Sequence, residues 1–296
     1  MSRFFIAGGM IAGLIAVWAW FSDSSHPPYS SEAPLVLSSI NGEFFYVDLG
    51  EVAAHGSSMM MVLRFEGPGE FVPHHFSDEG MERPANALQW AERLGASVVF
   101  NAGQYDEGHR HLGLLKGGGR RLSSLERPAW KGLLATGFKG EGVWGRILDL
   151  QHFDQAFAGG YRNVIQSMML MDDREGVRVR RSSRTACRAV VAEDQRGRLL
   201  LLFTEGATTL GELGNFLMES ELNIVRAMNL DGGHEAQLII RTPQFSLTHF
   251  GKYATDSNVT TQGMYRQVIP SVIVWRKGGG RETESGGGLK VPQELP

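Results

Sequence analysis

Short apolar runs separated by turn-forming residues occupy the middle of the chain. Runs of roughly four to eight such residues, bounded by Gly, Pro, Asn, Asp or Ser, are typical of β-strands. The pattern predicts strands at Phe44–Leu49, Met59–Phe65, Ser97–Phe100, Ala189–Ala192, Leu199–Phe203, Ile224–Met228 and Val268–Trp275. Most of the protein is therefore expected to consist of β-sheet.

One segment with helical spacing follows Pro84. Leu88, Ala91 and Leu94 fall on one face of a helix, and Gly95 comes directly after them. Proline is favoured at the start of a helix and glycine just past its end. The spacing predicts a helix between Pro84 and Gly95.

A second predicted helix begins at Thr209, which with Glu212 forms a capping-box sequence. Leu210, Leu213 and Leu217 supply its apolar stripe. Asn223 is expected to end it in the left-handed conformation. Few helices among many strands predict an α+β fold, with a single mixed, sheet-rich domain.

Three polar residues follow predicted strands directly. The segment Leu199–Leu230 reads strand, helix, strand, which predicts a parallel pair with a right-handed crossover. In such a unit Glu205 and Asp231 emerge at the same edge of the sheet, where ligands commonly bind. Asn101 follows another strand. We expect these residues to form a polar site, although each of them also suits a simple turn.

The two ends of the chain differ from its middle. Arg3 precedes the uncharged apolar stretch Phe4–Phe21, which predicts a membrane anchor with the rest of the chain exported. A cleaved signal peptide is the alternative, and the protein would then be secreted. The predicted organisation is an anchor or signal at 1–21, a Ser/Pro-rich linker at 22–34, the domain at 35–276 and a Gly-rich flexible tail at 277–296.

The amino-acid composition is that of a folded domain, and it argues against nucleic acid as a partner. A hydrophobic fraction of 42% and a charged fraction of 21% are ordinary values for a folded domain. The formal net charge of -3 provides no excess of positive charge for a nucleic-acid backbone, so nucleic acid is not an expected partner. Cys187 is the only cysteine, so no intrachain disulfide is possible.

The most informative motif is Asn229-Leu230-Asp231-Gly232-Gly233, which follows an apolar run. Its two glycines allow the backbone to turn sharply and approach a ligand, and their amides suit phosphate oxygens. An Asp-Gly pair is also a common turn, and the spacing does not decide between these interpretations.

Arg184 carries the planar guanidinium that best matches a phosphodiester, although a solvated basic face is the competing interpretation of its arginine-rich surroundings. The histidine pairs His74-His75 and His109 with His111 lack strong zinc spacing and are expected at the surface, with weak metal binding as the alternative. Met59–Met61 and Met168-Met169 are expected in the core.

Taken in order, the motifs resemble the phosphodiester glycosidase family over about Ala96 to Trp275. The resemblance rests on Asn101-Ala102-Gly103, Gly113-Leu114, Gln166-Ser167, Arg184-Thr185-Ala186, Thr204-Glu205-Gly206 and Asn229-Leu230-Asp231-Gly232-Gly233. It implies an exported α+β domain that hydrolyses a glycosidic bond to phosphate. The continuation His234-Glu235-Ala236-Gln237 departs from the glycine or proline and serines of many relatives.

The reaction that the resemblance implies, together with the predicted sheet edge, suggests a role for each candidate residue. Glu205 and Asp231 would be the catalytic carboxyls, since glycosidic cleavage usually employs two. Arg184 would stabilise the phosphate. Substrate would be bound by Asn101, Gly103, Gln166, Asn229, Gly232 and Gly233.

The expected partner is a carbohydrate or sugar phosphate, and no cofactor is certain, although Asp231 could hold a divalent cation. The alternatives are a non-catalytic envelope protein that binds carbohydrate or phosphoglycan, and an assembly partner of another exported enzyme.

Overall fold

The computed structural model describes residues 33–125, 127–138, 144–153, 159–256, 259–263 and 266–278. The predicted anchor at 1–21, most of the linker and most of the tail lie outside these residues. In the described ranges no helix combines the length and the hydrophobicity that a membrane span requires.

The described chain forms strands from Leu35 to Lys277, with two α-helices between them. The helices are α1 (Ala87–Leu94) and α2 (Leu210–Glu219). The strands are β1 (Leu35–Leu37), β2 (Gly42–Asp48), β3 (Met59–Phe65), β4 (Gly69–His75), β5 (Val98–Asn101), β6 (Gly113–Gly117), β7 (Arg120–Leu125), β8 (Gly132–Phe138), β9 (Gly145–Asp149), β10 (Tyr161–Asp172), β11 (Gly176–Val177), β12 (Ala189–Asp194), β13 (Leu199–Thr204), β14 (Ile224–Asn229), β15 (Gln237–Arg241), β16 (Ser246–Phe250), β17 (Tyr253–Asp256), β18 (Val259–Gln262) and β19 (Ser271–Lys277).

These strands form two large sheets and one hairpin. The larger sheet has the order β1-β2-β3-β13-β12-β14-β10-β6-β7, in which β8 and β11 also pair with β10, and β9 pairs with β8. The smaller sheet has the order β16-β15-β5-β19-β4, and β17 and β18 form the hairpin. Antiparallel pairing holds for every pair of strands within the described residues.

The two sheets pack face to face, and each carries one helix on its outer side. Phe100 and Ile273 of the smaller sheet share one buried cluster with Phe203 and Met228 of the larger sheet. Alternate residues on the outer face of the larger sheet pack against Leu213 and Leu217 of α2. On the outer face of the smaller sheet, Trp90 of α1 packs against Val99 and Val272. The order of layers is therefore helix, sheet, sheet, helix.

Both predicted helices form, but one end of each lies at a different residue from the one expected. Gly95 ends α1 in the left-handed conformation, but Asn86 and not Pro84 caps its start, in a capping box with Gln89. Thr209 caps α2 by accepting a hydrogen bond from the Glu212 amide. Asn223 is left-handed as expected, yet α2 already ends at Glu219, so Asn223 shapes the turn before β14.

The predicted parallel pair requires a correction. Strands β13 and β14 run in the same direction, but β12 lies between them and pairs antiparallel with both. The cause is the turn at Asp194–Gly197, which joins β12 to β13 as a hairpin before α2 is reached. Because the two strands still point the same way, Glu205 and Asp231 do leave the sheet at one edge. Two strand spacings separate them, about 10 Å between backbones.

Candidate active site

The site begins where β14 ends, in a loop that crosses from the larger to the smaller sheet. The Leu230 amide donates to the Ala189 carbonyl at 2.8 Å, and the Gly233 amide donates to the Cys187 carbonyl at 2.9 Å. A Cβ atom on Gly232 would stand only 2.7 Å from the Cys187 carbonyl oxygen, and Gly233 has φ +70. Both glycines are therefore required by the path of the loop.

Asp231 projects from this loop into partly buried surroundings. Its Oδ1 accepts the Gly232 amide at 3.1 Å. Burial, and then the neighbouring carboxyl of Glu235, raise the pKa of Asp231 to about 7, against the opposing effects of the Gly232 amide and Arg188. A carboxyl with this pKa exchanges a proton near neutral pH, as general acids and bases do.

Glu235 is the carboxyl that acts on Asp231, and sequence reasoning missed it as a catalytic candidate. It lies in the short 3-10 turn Gly233–Glu235. The Tyr105 hydroxyl is 3.4 Å from Glu235 Oε1 and 3.3 Å from the Val268 carbonyl oxygen, so its proton can serve either acceptor. Burial raises the pKa of Tyr105 to about 12, and the charges of Glu235 and Asp231 add to this effect. Tyr105 is therefore a hydrogen-bond donor at every physiological pH.

Arg188 supplies a buried positive charge at the same place, and it was also missed. Its Nε donates to the Thr208 carbonyl at 2.9 Å and its Nη2 to the Arg184 carbonyl at 2.7 Å. Its Nη1 lies 3.5 Å from the position that a Cβ on Gly232 would take. Burial lowers the pKa of Arg188 to about 10, which leaves the guanidinium charged at neutral pH.

Asn101 ties the loop to the smaller sheet. Its Nδ2 donates to the Asp231 carbonyl at 2.8 Å, and its Oδ1 accepts the Gln237 amide at 3.2 Å. Asn229 is also buried, and its Nδ2 donates to the Leu230 carbonyl. Within the described residues the Asn229 Oδ1 has no hydrogen-bond partner.

Gln166 and Gly103 occupy structural positions. The Gln166 Oε1 accepts amides of Leu114 and Arg127, and its Nε2 donates to carbonyls of Arg127 and Trp130, at 2.9–3.3 Å. These four bonds use its full donor and acceptor capacity. A Cβ on Gly103 would stand 3.0 Å from His111 Cε1, so Gly103 makes room for that ring.

Arg184 and Arg188 have different surroundings in the structure. The Arg184 side chain is exposed, and its carbonyl is the group that Arg188 binds. Glu205 is half-buried at the end of β13, where its carbonyl accepts the Cys187 thiol at 3.4 Å. Glu205 thus shares Cys187 as a neighbour with the Gly232-Gly233 loop, but Glu235 is the carboxyl that shifts Asp231.

The expectation that the histidines lie at the surface is wrong for three of them. His74 and His75 are buried, and His111 is fully buried, with neither ring nitrogen bonded within the described residues. Burial lowers the pKa of His111 to about 3, with His75 adding to the effect. His111 is therefore neutral, because the fold offers its charged form no compensation.

One trio in the described part of the chain has the chemistry of a cation site. Ligand atoms of Asp149, His152 and Glu175 lie within 4.8 Å of one another. Arg178 Nη1 is already 2.7 Å from both carboxylates, which makes the trio a salt-bridge network. At the candidate site, Asp231 and Glu235 are neighbouring carboxyls, and the positive charge of Arg188 acts on Asp231 as well.

The four-layer, sheet-rich fold thus brings together a half-buried pair of carboxyls, Asp231 and Glu235, and the buried Arg188. Comparison with known proteins places the chain in a family. The family model for phosphodiester glycosidases matches residues 94–275, and the chain belongs to this family. This confirms the resemblance seen in the motifs.

The fold resembles that of solved structures. The zebrafish N-acetylglucosamine-1-phosphodiester alpha-N-acetylglucosaminidase catalytic domain, auto-inhibited by its pro-peptide, has 15% identity and a TM-score of 0.58, over 86% of each chain. A hypothetical protein from Synechocystis has 12% identity and a TM-score of 0.50, and the match covers 79% of this chain and 61% of the Synechocystis chain. A comparison with curated proteins found no significant match.

Replacing Gln166 by Leu should destabilise the protein by about 3 kcal/mol, because several buried main-chain groups lose their partner. Urea unfolding measures the change in the free energy of unfolding. Gln195→Leu, at an exposed position, is the matched control and should change it by less than about 0.5 kcal/mol. Equal effects of the two substitutions would show that the Gln166 bonds contribute little.

Replacing Asp231 by Asn should stabilise the protein by about 2 kcal/mol at pH 8. With a folded pKa of about 7 against an ordinary value of 3.8, the folded protein binds a proton that the unfolded chain lacks. Wild-type stability from this group is therefore full near pH 4 and declines as pH rises to about 7. The gain from Asn should accordingly vanish near pH 4.

Urea unfolding at pH 4, 6 and 8 tests this pH dependence. Asp173→Asn, which removes the same formal charge at an exposed position, is the control. A gain that does not change between pH 4 and pH 8 would contradict the assignment of a raised pKa to Asp231.

Proposed function

We propose that the protein is an exported hydrolase that cleaves the glycosidic bond between a sugar and a phosphate. Membership of the phosphodiester glycosidase family gives the reaction class. The zebrafish protein that shares the fold is by its title an N-acetylglucosamine-1-phosphodiester alpha-N-acetylglucosaminidase, which supports a sugar phosphodiester as substrate. The observation that carries the proposal is the pair Asp231 and Glu235 beside the guanidinium of Arg188.

Arg188 is the residue that we assign to the phosphate, ahead of the exposed Arg184. Its guanidinium is held by two main-chain carbonyls, so it is oriented before substrate arrives. Its Nη1 lies on the side of Gly232. The guanidinium would stabilise the charge that collects on the phosphate as the bond to the sugar breaks.

Asp231 fits the general acid. A carboxylate beside a phosphate would repel it, and the raised pKa of Asp231, about 7, keeps a large fraction of this group protonated at neutral pH. The proton would pass to the oxygen that links sugar and phosphate while the bond to the anomeric carbon breaks. Glu235 is then the second carboxyl, which removes a proton from the attacking water or attacks the anomeric carbon itself. The Tyr105 hydroxyl orients it.

Asn101 and Gln166 act in this proposal as positioning residues. Asn101 fixes the main chain of Asp231, and Gln166 holds β6 against the loop at 127–130. Glu205 remains a candidate for contact with the sugar at the same edge. Asn229, whose Oδ1 has no partner within the described residues, is available to a ligand or a water molecule.

We also propose that the domain acts outside the cytoplasm. The basis is Arg3 followed by the apolar stretch Phe4–Phe21, which serves either as an anchor in the membrane or as a cleaved signal.

The direct test is release of reducing sugar from N-acetylglucosamine 1-(methyl phosphate) by the purified protein. A panel of such diesters with other sugars identifies the preferred one. Binding of these diesters without turnover by any of them would instead indicate a phosphoglycan-binding protein.

The phosphate assignment predicts different effects for the two arginines. Arg188→Gln should lower kcat/KM about 100-fold, because a preorganised donor to the transition state is lost. Arg184→Gln should lower it less than about threefold. Thermal unfolding confirms that each variant is folded. A large loss for Arg184→Gln with full activity for Arg188→Gln would reverse the assignment.

The carboxyl assignment predicts a shift of the pH profile. Glu235→Gln should lower kcat about 1,000-fold and move the alkaline limb of the residual activity to lower pH, because the Glu235 charge no longer raises the pKa of Asp231. Glu205→Gln should leave that limb in place. If Glu205→Gln moves the limb and Glu235→Gln does not, Glu205 is the second carboxyl.

A further inference from the structure

A cavity of about 440 Å³ lies between the edge strand β4 and the β6–β7 hairpin, away from Asp231. It reaches Arg276, which is four residues along β19 from Val272, the partner of Asn101. Four residues of strand correspond to about 13 Å. None of the residues around Asp231 lines this cavity. Its volume is in the range of small-molecule sites.

Three arginines line the cavity. Arg120 follows the β6–β7 turn, Arg162 lies near the start of β10, and Arg276 lies near the end of β19. Within the described residues none of these three guanidinium groups makes an ion pair or a side-chain hydrogen bond. Like charges repel one another, so an arrangement of this kind gains stability when an anion enters.

The carboxylates that line the cavity have other partners. Glu70 Oε2 accepts from Asn163 Nδ2 at 2.7 Å, and Glu79 Oε1 is 2.7 Å from His74 Nδ1. The buried His74 also lines the cavity, and its Nε2 has no hydrogen-bond partner in the described part of the chain. With Lys277, the three arginines outnumber the two carboxylates, so the lining keeps a net positive charge. The carboxylates present acceptors of the kind that sugar hydroxyls use.

We propose that this cavity is a second binding site, which takes the phosphate group of a small phosphate ester such as a sugar phosphate. The planar guanidinium of arginine binds phosphate oxygens in pairs, and three of them can surround one phosphate. Val72 and Leu122 give one wall of the cavity an apolar surface suited to a sugar ring. The site does not depend on the chemistry of Asp231.

The test is calorimetric titration of the full-length protein with α-glucose 1-phosphate, inorganic phosphate and glucose, in low-salt buffer. We expect binding of both phosphate compounds and no binding of glucose. Arg162→Gln and Arg276→Gln should each raise Kd roughly fivefold, and the double variant roughly 20-fold. Added salt should weaken binding, since the arginines are exposed.

Arg196→Gln is the matched control, because it removes an exposed arginine outside the cavity and should change Kd less than about twofold. Arg188→Gln, which removes the group assigned to phosphate at the proposed active site, should leave the binding intact and so separates the two sites. Unchanged Kd values in the double variant, or loss of binding in Arg188→Gln alone, would overturn the proposal. Absence of catalytic turnover would not affect it.

Discussion

The hydrogen bond from the Asn101 amide to the Asp231 carbonyl is the contact on which the candidate site depends. Asn101 ends a strand of the smaller sheet, and Asp231 follows a strand of the larger one. The same side chain accepts the Gln237 amide at the start of β15, so it holds both ends of the loop that crosses between the sheets. The position of the Asp231 carboxyl is thereby set relative to both sheets at once.

In this position the charged form of the Asp231 carboxyl is disfavoured, and a carboxyl that keeps its proton can act as a general acid. Two carboxyls placed near each other in a partly buried site cannot both ionise easily. Arg188 does not bond directly to these two carboxyls, so no such bond reduces the repulsion between them. Its guanidinium is oriented by the carbonyls of Arg184 and Thr208 instead. Asp231 therefore keeps its proton to about pH 7, and a neighbouring positive charge remains for an anionic group.

Much of the architecture could be predicted from the sequence, because local patterns dictate it. Met59–Phe65 coincides with β3, and Thr209 and Gly95 cap their helices as expected. The position of β12 between β13 and β14 could not be predicted from the strand-helix-strand pattern. A hairpin turn before the helix decides it, and hydrophobic periodicity does not record which strands become neighbours.

Some residues of the candidate site could likewise be predicted from the sequence, and others could not. Asp231 was found because its two glycines signal a close approach of the backbone. Glu235 lies in a one-turn helix and looked like a departure from the family motif. Arg188 was hidden among exposed arginines, although it directly precedes the buried run Ala189–Ala192 and follows the buried Cys187. An arginine between apolar residues, at the start of a predicted strand, was the signal in the sequence that could have identified it.

The two arginine sites illustrate opposite ways of presenting positive charge. Arg188 is buried and bound to two carbonyls, so its direction is set before any ligand arrives, which suits stabilisation of a transition state. Arg120, Arg162 and Arg276 are exposed and come from three different strands. Their long side chains can close around a ligand only at a cost in conformational entropy. Such a group holds a phosphate reversibly and with tolerance for what is attached to it. The exposed arginines of the cavity therefore suit reversible binding, whereas the oriented guanidinium of Arg188 suits stabilisation of a transition state.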